Sequence, residues 1–264
     1  MSRIRRAIIL AGGRGTRLLP LTRAVPKEML PLGTKPILQH IVEELRTAGL
    51  EEIIIVSREG KSAIANHFAG ENDIRILMKK GAKGPGHSVM FAREFLGDES
   101  FLVAFGDAPY RGARVNEFLL QLLNAHESLQ ASAVLAVARA PLNEIPLRAV
   151  VKPEGSLKPG VASPVADLVQ KPGPSEAPSN WAVAGRYTFN PAVLDSLADI
   201  ASRATGEILL VDAIKHMMAQ GQRIYALPLG ESQHRFDTGS LEGYLRAFRA
   251  YADESSHEDW PHCN

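Results

Sequence analysis

The sequence predicts an α/β fold, a Rossmann-like and mostly parallel twisted sheet with helices on both faces and a small inserted β-rich lobe. Two observations indicate it. In the first half of the chain, short apolar runs alternate with segments of helical periodicity, as in a parallel sheet with crossover helices. Residues 141–178 are instead rich in proline and glycine, which favours short strands and turns.

The expected strands are short apolar runs, and the expected helices share an amphipathic period. Strands are predicted at residues 7–10, 53–56, 74–78, 101–105, 133–138, 165–169 and 181–188. Helices are predicted at residues 36–48, 87–95, 115–126, 206–220 and 240–252. The first helix is the best marked, because Pro36 at its start and Gly49 at its end favour those positions.

The composition excludes several classes of protein. The chain has 264 residues, 45% of them hydrophobic, and a formal net charge of only +1, so no bulk attraction to nucleic acid or membrane is expected. Its one cysteine, Cys263, excludes an intrachain disulfide and a cysteine metal cluster, and it fits a cytoplasmic location. Neither a signal peptide nor a run long enough to span a membrane is present.

A glycine-rich loop with several cations follows the first apolar run. Gly12, Gly13 and Gly15 allow the backbone to approach a ligand closely, because they lack a Cβ atom. Two arginines and a lysine lie nearby in the sequence, at Arg14, Arg17 and Lys27. Backbone N–H groups surrounded by cations suit a polyphosphate.

The common alternatives for this loop fit it poorly. A P-loop would end in Gly-Lys-Ser/Thr, which is absent. A dinucleotide loop would carry a third glycine and open a helix, whereas Pro20, Pro26 and Pro31 interrupt the segment. The alternative of an ordinary turn with surface arginines is less favoured than a phosphate-binding loop.

Four segments, in order, resemble the signature of the sugar-1-phosphate nucleotidyltransferases, and most of all their bacterial UTP–glucose-1-phosphate uridylyltransferase branch. The resemblance extends from about Arg6 to Tyr251. The segments are residues 10–36, which include PKEMLPL, 177–189 (APSNWAVAGRYTF), 206–214 (GEILLVDAI) and 236–248 (FDTGSLEGYLRAF). The resemblance implies the nucleotide-diphospho-sugar transferase type of fold. It also implies attack of a sugar 1-phosphate on the α-phosphorus of a nucleoside triphosphate, with UTP favoured, giving an NDP-sugar and pyrophosphate.

The resemblance also suggests how the chain is organised. A nucleotidyltransferase domain is expected over residues 1–252. It would comprise a nucleotide half of about 1–140, a sugar-phosphate lobe of about 141–235 and a C-terminal helix of about 240–252. A polar tail would follow at 253–264, and the protein is expected to form a homo-oligomer, a dimer or a tetramer.

Five residues are implied to carry the chemistry. Arg17 and Lys27 would hold the phosphates of the nucleotide, and Lys171 would hold the phosphate of the sugar phosphate. Asp107 and Asp237 would bind Mg²⁺, which prefers carboxylate and phosphate oxygens. Asp107 follows an expected strand and Asp237 lies between an expected strand and a helix, so the two can meet at one sheet edge.

Further residues are implied to contact the substrates, with Ala11 and Gly12 doing so through backbone groups. The expected nucleotide-binding residues are Leu10, Ala11, Gly12, Gly13, Gly15, Thr16, Lys80 and Gly86. The expected sugar-phosphate-binding residues are Ala149, Gln170, Lys171, Gly185 and Arg186.

Three positions depart from the uridylyltransferase pattern. Lys80 stands where the family has a glutamine that reads the pyrimidine, and an ammonium can only donate hydrogen bonds. Ala149, preceded by Arg148, replaces a glycine near the sugar. Gln170 replaces the glutamate of the VEKP motif and accepts hydrogen bonds from sugar hydroxyls more weakly.

Two alternatives therefore stay open at this point. The same reaction could use another base (GTP, dTTP or CTP) and a modified sugar or cyclitol phosphate. From a different class, the chain could be a non-catalytic nucleotide-binding regulatory module. The retained carboxylates and cations disfavour the second, since adjacent buried carboxylates without a metal are costly.

Overall fold

A computed structural model describes residues 4–81, 83–112 and 115–255 of the chain. Cys263 and Arg3 lie outside the described residues, as does most of the expected tail at 253–264. The strands are β1 (Arg6–Leu10), β2 (Pro31–Leu32), β3 (Lys35–Pro36), β4 (Glu52–Arg58), β5 (Ile74–Lys79), β6 (Phe101–Phe105), β7 (Tyr110–Gly112), β8 (Ala133–Arg139), β9 (Ala149–Pro153), β10 (Ser163–Gln170), β11 (Trp181–Phe189), β12 (Ile224–Pro228) and β13 (Gln233–Arg235). The helices are α1 (Ile37–Thr47), α2 (Ser62–His67), α3 (Gly84–Phe91), α4 (Val115–Ser128), α5 (Ala192–Ala201), α6 (Leu210–Ala219) and α7 (Leu241–Ser255).

A nine-stranded mixed sheet organises the chain in the order β5-β4-β1-β6-β11-β8-β12-β10-β9. Strands β5, β4, β1 and β6 are parallel. Strand β11 runs antiparallel to its neighbours β6 and β8, whereas β12 is parallel to β8. The strands β9 and β10 of the expected inserted lobe continue this sheet at its edge.

Helices cover both faces of the sheet, as the sequence predicts. Because side chains alternate along a strand, the neighbours Ile8 and Ile9 of β1 belong to different apolar cores. Residues of α1 and α4 pack in the core that contains Ile9. Residues of α3, α5 and α6 pack in the core that contains Ile8. The predicted α/β class is thereby confirmed, and ligands in such folds bind at the carboxyl ends of the parallel strands.

The segment boundaries differ from the predicted ones where tertiary contacts decide them. The helix expected from residue 206 begins at Leu210, because Ile208 makes backbone hydrogen bonds with Lys83 and Gly86 near the start of α3. The sequence analysis does not predict helix α5, although Pro191 at its N-terminus is a recognisable start signal. Within the described ranges, no helix has the length and apolar character needed to cross a bilayer.

Candidate active site

The carboxyl ends of two neighbouring parallel strands, β1 and β6, bring the glycine loop beside Asp107. Leu10 and Phe105 are paired at the ends of these strands, and the Gly106 N–H donates to the Leu10 carbonyl at 3.0 Å. The loop leaves β1 immediately after this pair, and Asp107 leaves β6. The sheet therefore places the loop and the carboxylate at one edge.

A two-stranded ribbon formed by β7 and β13 brings Asp237 to the same place. The ribbon begins three residues after Asp107 and ends two residues before Asp237. Next to Asp237, Thr238 donates to the Asp107 carbonyl from both its backbone N–H, at 3.1 Å, and its hydroxyl, at 2.8 Å. Two residues 130 positions apart in the sequence are thus fixed side by side by backbone hydrogen bonds.

Gly239 marks the point on which the charged side chains converge. A Cβ atom on Gly239 would lie 2.7 Å from Arg17 Nη2, 3.0 Å from Asp237 Oδ1 and 3.5 Å from Asp107 Oδ2. A larger residue at position 239 would therefore occupy the space that these three groups share. The prediction that Asp107 and Asp237 can meet at one sheet edge agrees with this arrangement, and Arg17 lies at the same point.

Lys27 neutralises the carboxylate of Asp107. Its ammonium donates to Asp107 Oδ2, and both side chains are largely buried. Burial would raise the pKa of the Asp107 carboxyl, but the Lys27 ammonium outweighs this and holds that pKa below its usual value. Burial would likewise lower the pKa of Lys27, and the Asp107 carboxylate keeps it raised. Both groups are therefore charged at neutral pH.

Asp237 lies among guanidinium groups. Arg235 Nη1 donates to Asp237 Oδ2 at 3.2 Å, and Arg148 Nη2 lies 4.0 Å from the same oxygen. The Gly239 N–H donates to Asp237 Oδ1 at 3.1 Å. Burial would raise the pKa of Asp237, but Arg235 and the Gly239 hydrogen bond lower it to about 2.

A buried ion pair, Lys61 with Glu28, holds the start of the glycine loop through the Ala11 carbonyl. Lys61 donates to Glu28 at 2.7 Å and to the Ala11 carbonyl at 2.8 Å. The Ala11 N–H donates to the Val56 carbonyl at 2.9 Å. The Ala11 N–H and carbonyl thus both have partners inside the fold, and the expected backbone contact of Ala11 with the nucleotide stays a prediction.

Two cavities meet at Asp107. The larger, of about 630 Å³, lies against the glycine loop, and the smaller, of about 210 Å³, lies against β9–β11. The larger cavity is lined by Leu10, Gly12, Gly13, Arg14, Lys27, Lys79, Gly84, Pro85, Ser88, Phe105, Asp107 and Glu207. The smaller is lined by Arg17, Pro85, Phe105, Asp107, Leu147, Arg148, Ala149, Gln170, Val183, Gly185, Tyr187, Leu209, Leu210, Val211, Arg235 and Asp237.

Many of the predicted contact residues line these cavities. Leu10, Gly12 and Gly13 line the larger one, and Ala149, Gln170 and Gly185 line the smaller. Gly185 lies at an irregularity in the pairing of β11 with β8 and has a φ of 86°. A side chain there would be strained, and its Cβ would crowd Ala108 and Phe105.

Lys79 faces the larger cavity, whereas the predicted nucleotide-binding residue Lys80 does not. Lys80 is exposed, but Lys79 is only 3% exposed, and its Cε lies 3.6 Å from where a Cβ on Gly12 would be. The Lys79 ammonium lies 3.3 Å from His87 Nδ1. The position of Lys79 therefore favours it over Lys80 as the lysine that meets the nucleotide, and the expected contact of Lys80 stays a prediction.

Gly86 serves helix packing instead of nucleotide binding. Its N–H donates to the Ile208 carbonyl at 2.8 Å. A Cβ atom on Gly86 would lie 2.7 Å from side-chain atoms of both Ile208 and Leu197. This glycine allows α3 to pack closely against its neighbours, and its expected contact with the nucleotide stays a prediction.

The Arg186 side chain lies in the core and not in either cavity. It is fully buried and forms two hydrogen bonds to Glu44 of α1, at 3.1 and 2.7 Å. Its neighbour Gly185 lines the smaller cavity, so the Arg186 side chain projects to the opposite face of β11. The guanidinium is therefore occupied within the core, and the expected contact of Arg186 with the sugar phosphate stays a prediction that this pairing disfavours.

Three further predicted residues lie near the cavities without lining either of them. Gly15 and Thr16 are on the glycine loop, where the Thr22 hydroxyl donates to the Gly15 carbonyl at 2.8 Å. Lys171 is exposed and follows Gln170 at the end of β10, and its N–H donates to the Arg148 carbonyl. Their roles toward the substrates stay predictions.

Sequence reasoning assigned no binding role to Lys79 or to Arg235, and it noted Arg148 only as a possible obstruction. Arg235 could have been found from its position two residues before Asp237, where a strand pairs with β7. Lys79 could have been distinguished from Lys80 by the alternation of β5. Nothing in the sequence indicates that Arg148 reaches Asp237, because that contact depends on a turn before β9.

The carboxylates of Asp107 and Asp237 fit a Mg²⁺ ion shared with phosphate oxygens. Both are ionised at neutral pH, and Mg²⁺ is commonly held by one or two carboxylates together with phosphate oxygens and water. Among the described residues, no group of three or more His, Cys, Asp or Glu side chains forms a metal site of protein ligands alone. The donor set thus suits a metal that arrives with a nucleotide.

Comparison with known proteins yields consistent similarities. The sequence profile of the family described as Nucleotidyl transferase matches residues 6–254. The chain is 37% identical to UTP–glucose-1-phosphate uridylyltransferase 2 of Staphylococcus saprophyticus, over 98% of this chain and 96% of that protein. It is 35% identical to UTP–glucose-1-phosphate uridylyltransferase of Bacillus subtilis, over 96% of this chain and 92% of that protein.

Solved structures give the same result. A UDP-glucose pyrophosphorylase complexed with UDP-glucose has a TM-score of 0.84 at 30% identity, covering 95% of this chain and 99% of that chain. A UTP-bound enzyme of the same kind from Acinetobacter baumannii has a TM-score of 0.86 at 27% identity, covering 95% of this chain and 94% of that one.

Proposed function

The chain belongs to the nucleotidyl transferase family, and we propose that it transfers the uridylyl group of UTP to glucose 1-phosphate. It joins a nucleoside triphosphate to a sugar 1-phosphate, giving an NDP-sugar and pyrophosphate. The observation that carries the proposal is the pair of cavities that meet at Asp107, one against the glycine loop and one beyond it. The relatives do not favour the alternatives of a different base with a modified sugar or of a non-catalytic module.

The reaction is a substitution at the α-phosphorus of UTP. A phosphate oxygen of glucose 1-phosphate forms the new P–O bond, and the bond to the β-phosphate breaks as pyrophosphate leaves with its electron pair. The attacking phosphate is already an anion at neutral pH, so no general base is required. The protein has to hold two anions together in line, which is a matter of charge neutralisation and positioning.

The cations of the site suit this task. Lys27 lies 3.0 Å from where a Cβ on Gly13 would be, so its ammonium borders the loop that receives the triphosphate. Arg17 lines the smaller cavity and reaches the point shared by both carboxylates. We assign Lys27 and Arg17 to the phosphates of the nucleotide, and Lys171 to the sugar phosphate as it enters.

Asp107 and Asp237 would hold Mg²⁺. When bound, the ion neutralises phosphate oxygens and stabilises the charge that develops on them. Lys27 and Arg235 keep these carboxylates ionised and partly neutralised. The two aspartates are therefore ready to accept the metal without releasing protons at neutral pH.

Lys79, together with the backbone of Gly12, is assigned to the nucleobase. Its ammonium is a hydrogen-bond donor in the larger cavity, at the side where Gly12 leaves β1. Uracil offers carbonyl oxygens to such a donor. The cytoplasmic location and a dimer or tetramer remain predictions from the sequence.

The test measures pyrophosphate release with Mg²⁺ from UTP, dTTP, CTP, GTP and ATP, each combined with several sugar 1-phosphates. The expected result is turnover that is fastest with UTP and glucose 1-phosphate and that disappears when either substrate is omitted. EDTA should abolish it. Release of pyrophosphate from UTP alone, or a preference for another pair of substrates, would contradict the proposal.

A further inference from the structure

Arg148 lines the smaller cavity beside Asp237. It follows a 3₁₀ turn (Ile145–Leu147), precedes β9 and lines the smaller cavity beside Ala149 and Gln170. Its side chain is only 12% exposed, and Nη2 lies 4.0 Å from Asp237 Oδ2. A guanidinium thus lies beside a carboxylate of the reacting centre, at the end of the smaller cavity that is closest to it.

The Arg148 guanidinium has an N–H donor without a hydrogen-bond partner. A guanidinium carries five N–H donors, and Nη2 of Arg148 donates to Glu144. Arg148 Nε is buried and has no hydrogen-bond partner among the described residues. A buried donor of this kind costs free energy unless a ligand accepts its hydrogen bond.

The ion pair with Glu144 does not by itself explain why Arg148 is largely buried in the wall of the smaller cavity. Glu144 also accepts a hydrogen bond from Arg246 of α7, at 3.2 Å. Arg148 also faces a second cation, because Arg148 Nη2 and Arg235 Nη1 lie 4.0 and 3.2 Å from the same oxygen, Asp237 Oδ2, so the two guanidinium groups repel each other. An anion that enters the smaller cavity would offset this repulsion.

The chemistry of the cavity indicates which anion. Its walls contain the apolar and aromatic side chains of Phe105, Val183 and Tyr187, which suit the body of a sugar. Its charged end lies at Asp237 and Arg148. A guanidinium binds phosphate through two parallel hydrogen bonds, more strongly than it binds a neutral hydroxyl.

We propose that Arg148 binds the phosphate of the sugar 1-phosphate and holds it at the end of the smaller cavity for attack on the nucleotide. The proposal rests on the proposed function and extends it, since it places a guanidinium at the nucleophile in addition to the exposed Lys171. Glu144 is then a positioning residue, which orients the guanidinium toward the cavity through their hydrogen bond.

The experiment compares the full-length chain with the variants Arg148→Met, Arg148→Lys and Arg246→Met. Arg246→Met is the matched control, because it also removes a cationic partner of Glu144 but lies outside the cavities, with a side chain 54% exposed. Steady-state kinetics are measured with each substrate varied in turn. Binding of glucose 1-phosphate without Mg²⁺ is measured separately by calorimetry.

The expected result is selective for one substrate. Arg148→Met should raise the KM for glucose 1-phosphate about tenfold or more, and weaken its calorimetric affinity similarly, while the KM for UTP changes less than about threefold. Arg148→Lys should restore part of the loss, because an ammonium keeps the charge but loses the paired hydrogen bonds. Arg246→Met should behave like the unmodified chain.

Other outcomes would overturn the proposal. An unchanged affinity for glucose 1-phosphate would do so, as would an equal loss for both substrates. A shift in the Mg²⁺ requirement alone would mean that Arg148 only positions Asp237. If Arg148→Met does not fold, the double variant Glu144→Gln/Arg148→Met, which removes the uncompensated carboxylate, replaces it. If the unmodified chain does not turn over UTP with glucose 1-phosphate, the proposed function fails, and calorimetry still decides the role of Arg148.

Discussion

Two groups of charged side chains lie on opposite faces of β11 and differ in how completely they are paired. On one face, the smaller cavity gathers Asp107, Asp237, Arg17, Arg148 and Arg235. On the other face, the core contains a single pair, Arg186 with Glu44. The adjacent residues Gly185 and Arg186 belong to different groups, because β11 alternates between the faces.

The buried pair is complete without a ligand. Arg186 forms two hydrogen bonds to Glu44, and its guanidinium carbon lies 4.6 Å from the ring centroid of Tyr110. Tyr110 in turn donates to the Ala184 carbonyl and accepts at its own carbonyl from Tyr251. The cavity group has more cations than carboxylates and leaves Arg148 Nε unpartnered. The Arg186–Glu44 pair is thus complete within the fold, whereas the cavity group leaves a guanidinium donor for a substrate to complete.

The strongest test of this distinction is Asp107→Asn. It should lower turnover by about 10⁴-fold, equivalent to ~5 kcal/mol of transition-state stabilisation, because a carboxylate needed for metal and phosphate is lost. The substitution opens no cavity, but it removes the charge that pairs with the largely buried Lys27 ammonium, so the melting temperature should fall while the chain stays folded at the assay temperature. Pyrophosphate release and a thermal melt measure the two effects. Near-normal turnover in a folded variant would refute the role of Asp107.

Arg186→Met should produce the opposite pattern. Removing one partner of a buried ion pair leaves Glu44 unpaired in the core and should cost about 4 kcal/mol of unfolding free energy. Turnover per folded molecule should stay near normal well below the melting temperature. Urea denaturation followed by circular dichroism measures the loss in stability.

The double variant Glu44→Leu/Arg186→Met is the control for this prediction. Replacing both charges with apolar side chains should recover most of the lost stability, since the desolvation cost of the pair is also removed. If Arg186→Met instead leaves stability unchanged and abolishes sugar-phosphate binding, the original sequence prediction for Arg186 was right.

The contrast between Gly185 and Arg186 also shows how far sequence reasoning reaches. The strands, the order of motifs and the convergence of Asp107 with Asp237 follow from apolar runs and from the rule that sites form at strand ends. Family resemblance points correctly to the segment around residue 185. It does not say which of two adjacent side chains faces the ligand, because that depends on the register of β11 and its irregularity at Gly185.

Lys79 and Lys80, at the end of β5, are a second case in which the sequence does not show which of two adjacent side chains faces the cavity. Both are lysines, but Lys79 is the last residue of β5 and Lys80 follows it. The structure buries Lys79 beside Gly12 and exposes Lys80. Arg148 was harder to predict, since its contact with Asp237 joins residues 89 positions apart, and a turn signal such as Pro146 does not show which distant residue the following side chain meets.

The loss of unfolding free energy in acid should reveal the effect of the guanidinium groups around Asp237. The pKa of Asp237 is lowered to about 2 in the folded chain, below the unfolded value. The resulting stabilisation is present above pH 4 and is lost as the pH falls toward 2, and it should amount to about 2 kcal/mol. Asp107, whose pKa is also lowered, should add to the loss in the same direction.

The measurement is the unfolding free energy between pH 5 and pH 2, with Asp237→Asn as the test variant. Its stability should fall less steeply with acid than that of the unmodified chain. Asp195→Asn is the control, because Asp195 has a side chain 75% exposed and pairs with Arg93 at the surface. Identical pH dependence in the Asp237→Asn variant and the unmodified chain would contradict the assigned environment of Asp237.

The smallest expected effect separates two adjacent lysines. Lys79→Met should raise the KM for UTP about tenfold, equivalent to ~1.4 kcal/mol, because one charge-assisted hydrogen bond to the base is lost. Lys80→Met should leave the KM for UTP unchanged, because Lys80 is exposed and does not line the larger cavity. Steady-state kinetics with UTP and CTP measure both variants.

The comparison of UTP with CTP decides what Lys79 contacts. Cytosine carries an amino donor where uracil has the O4 carbonyl, so an ammonium that donates to O4 favours uracil. If Lys79 contacts the base, Lys79→Met should raise the KM for UTP and leave the KM for CTP little changed. The preference of the enzyme for UTP over CTP would then be smaller. An equal loss for both nucleotides would instead place Lys79 at the phosphates, where its charge acts without regard to the base.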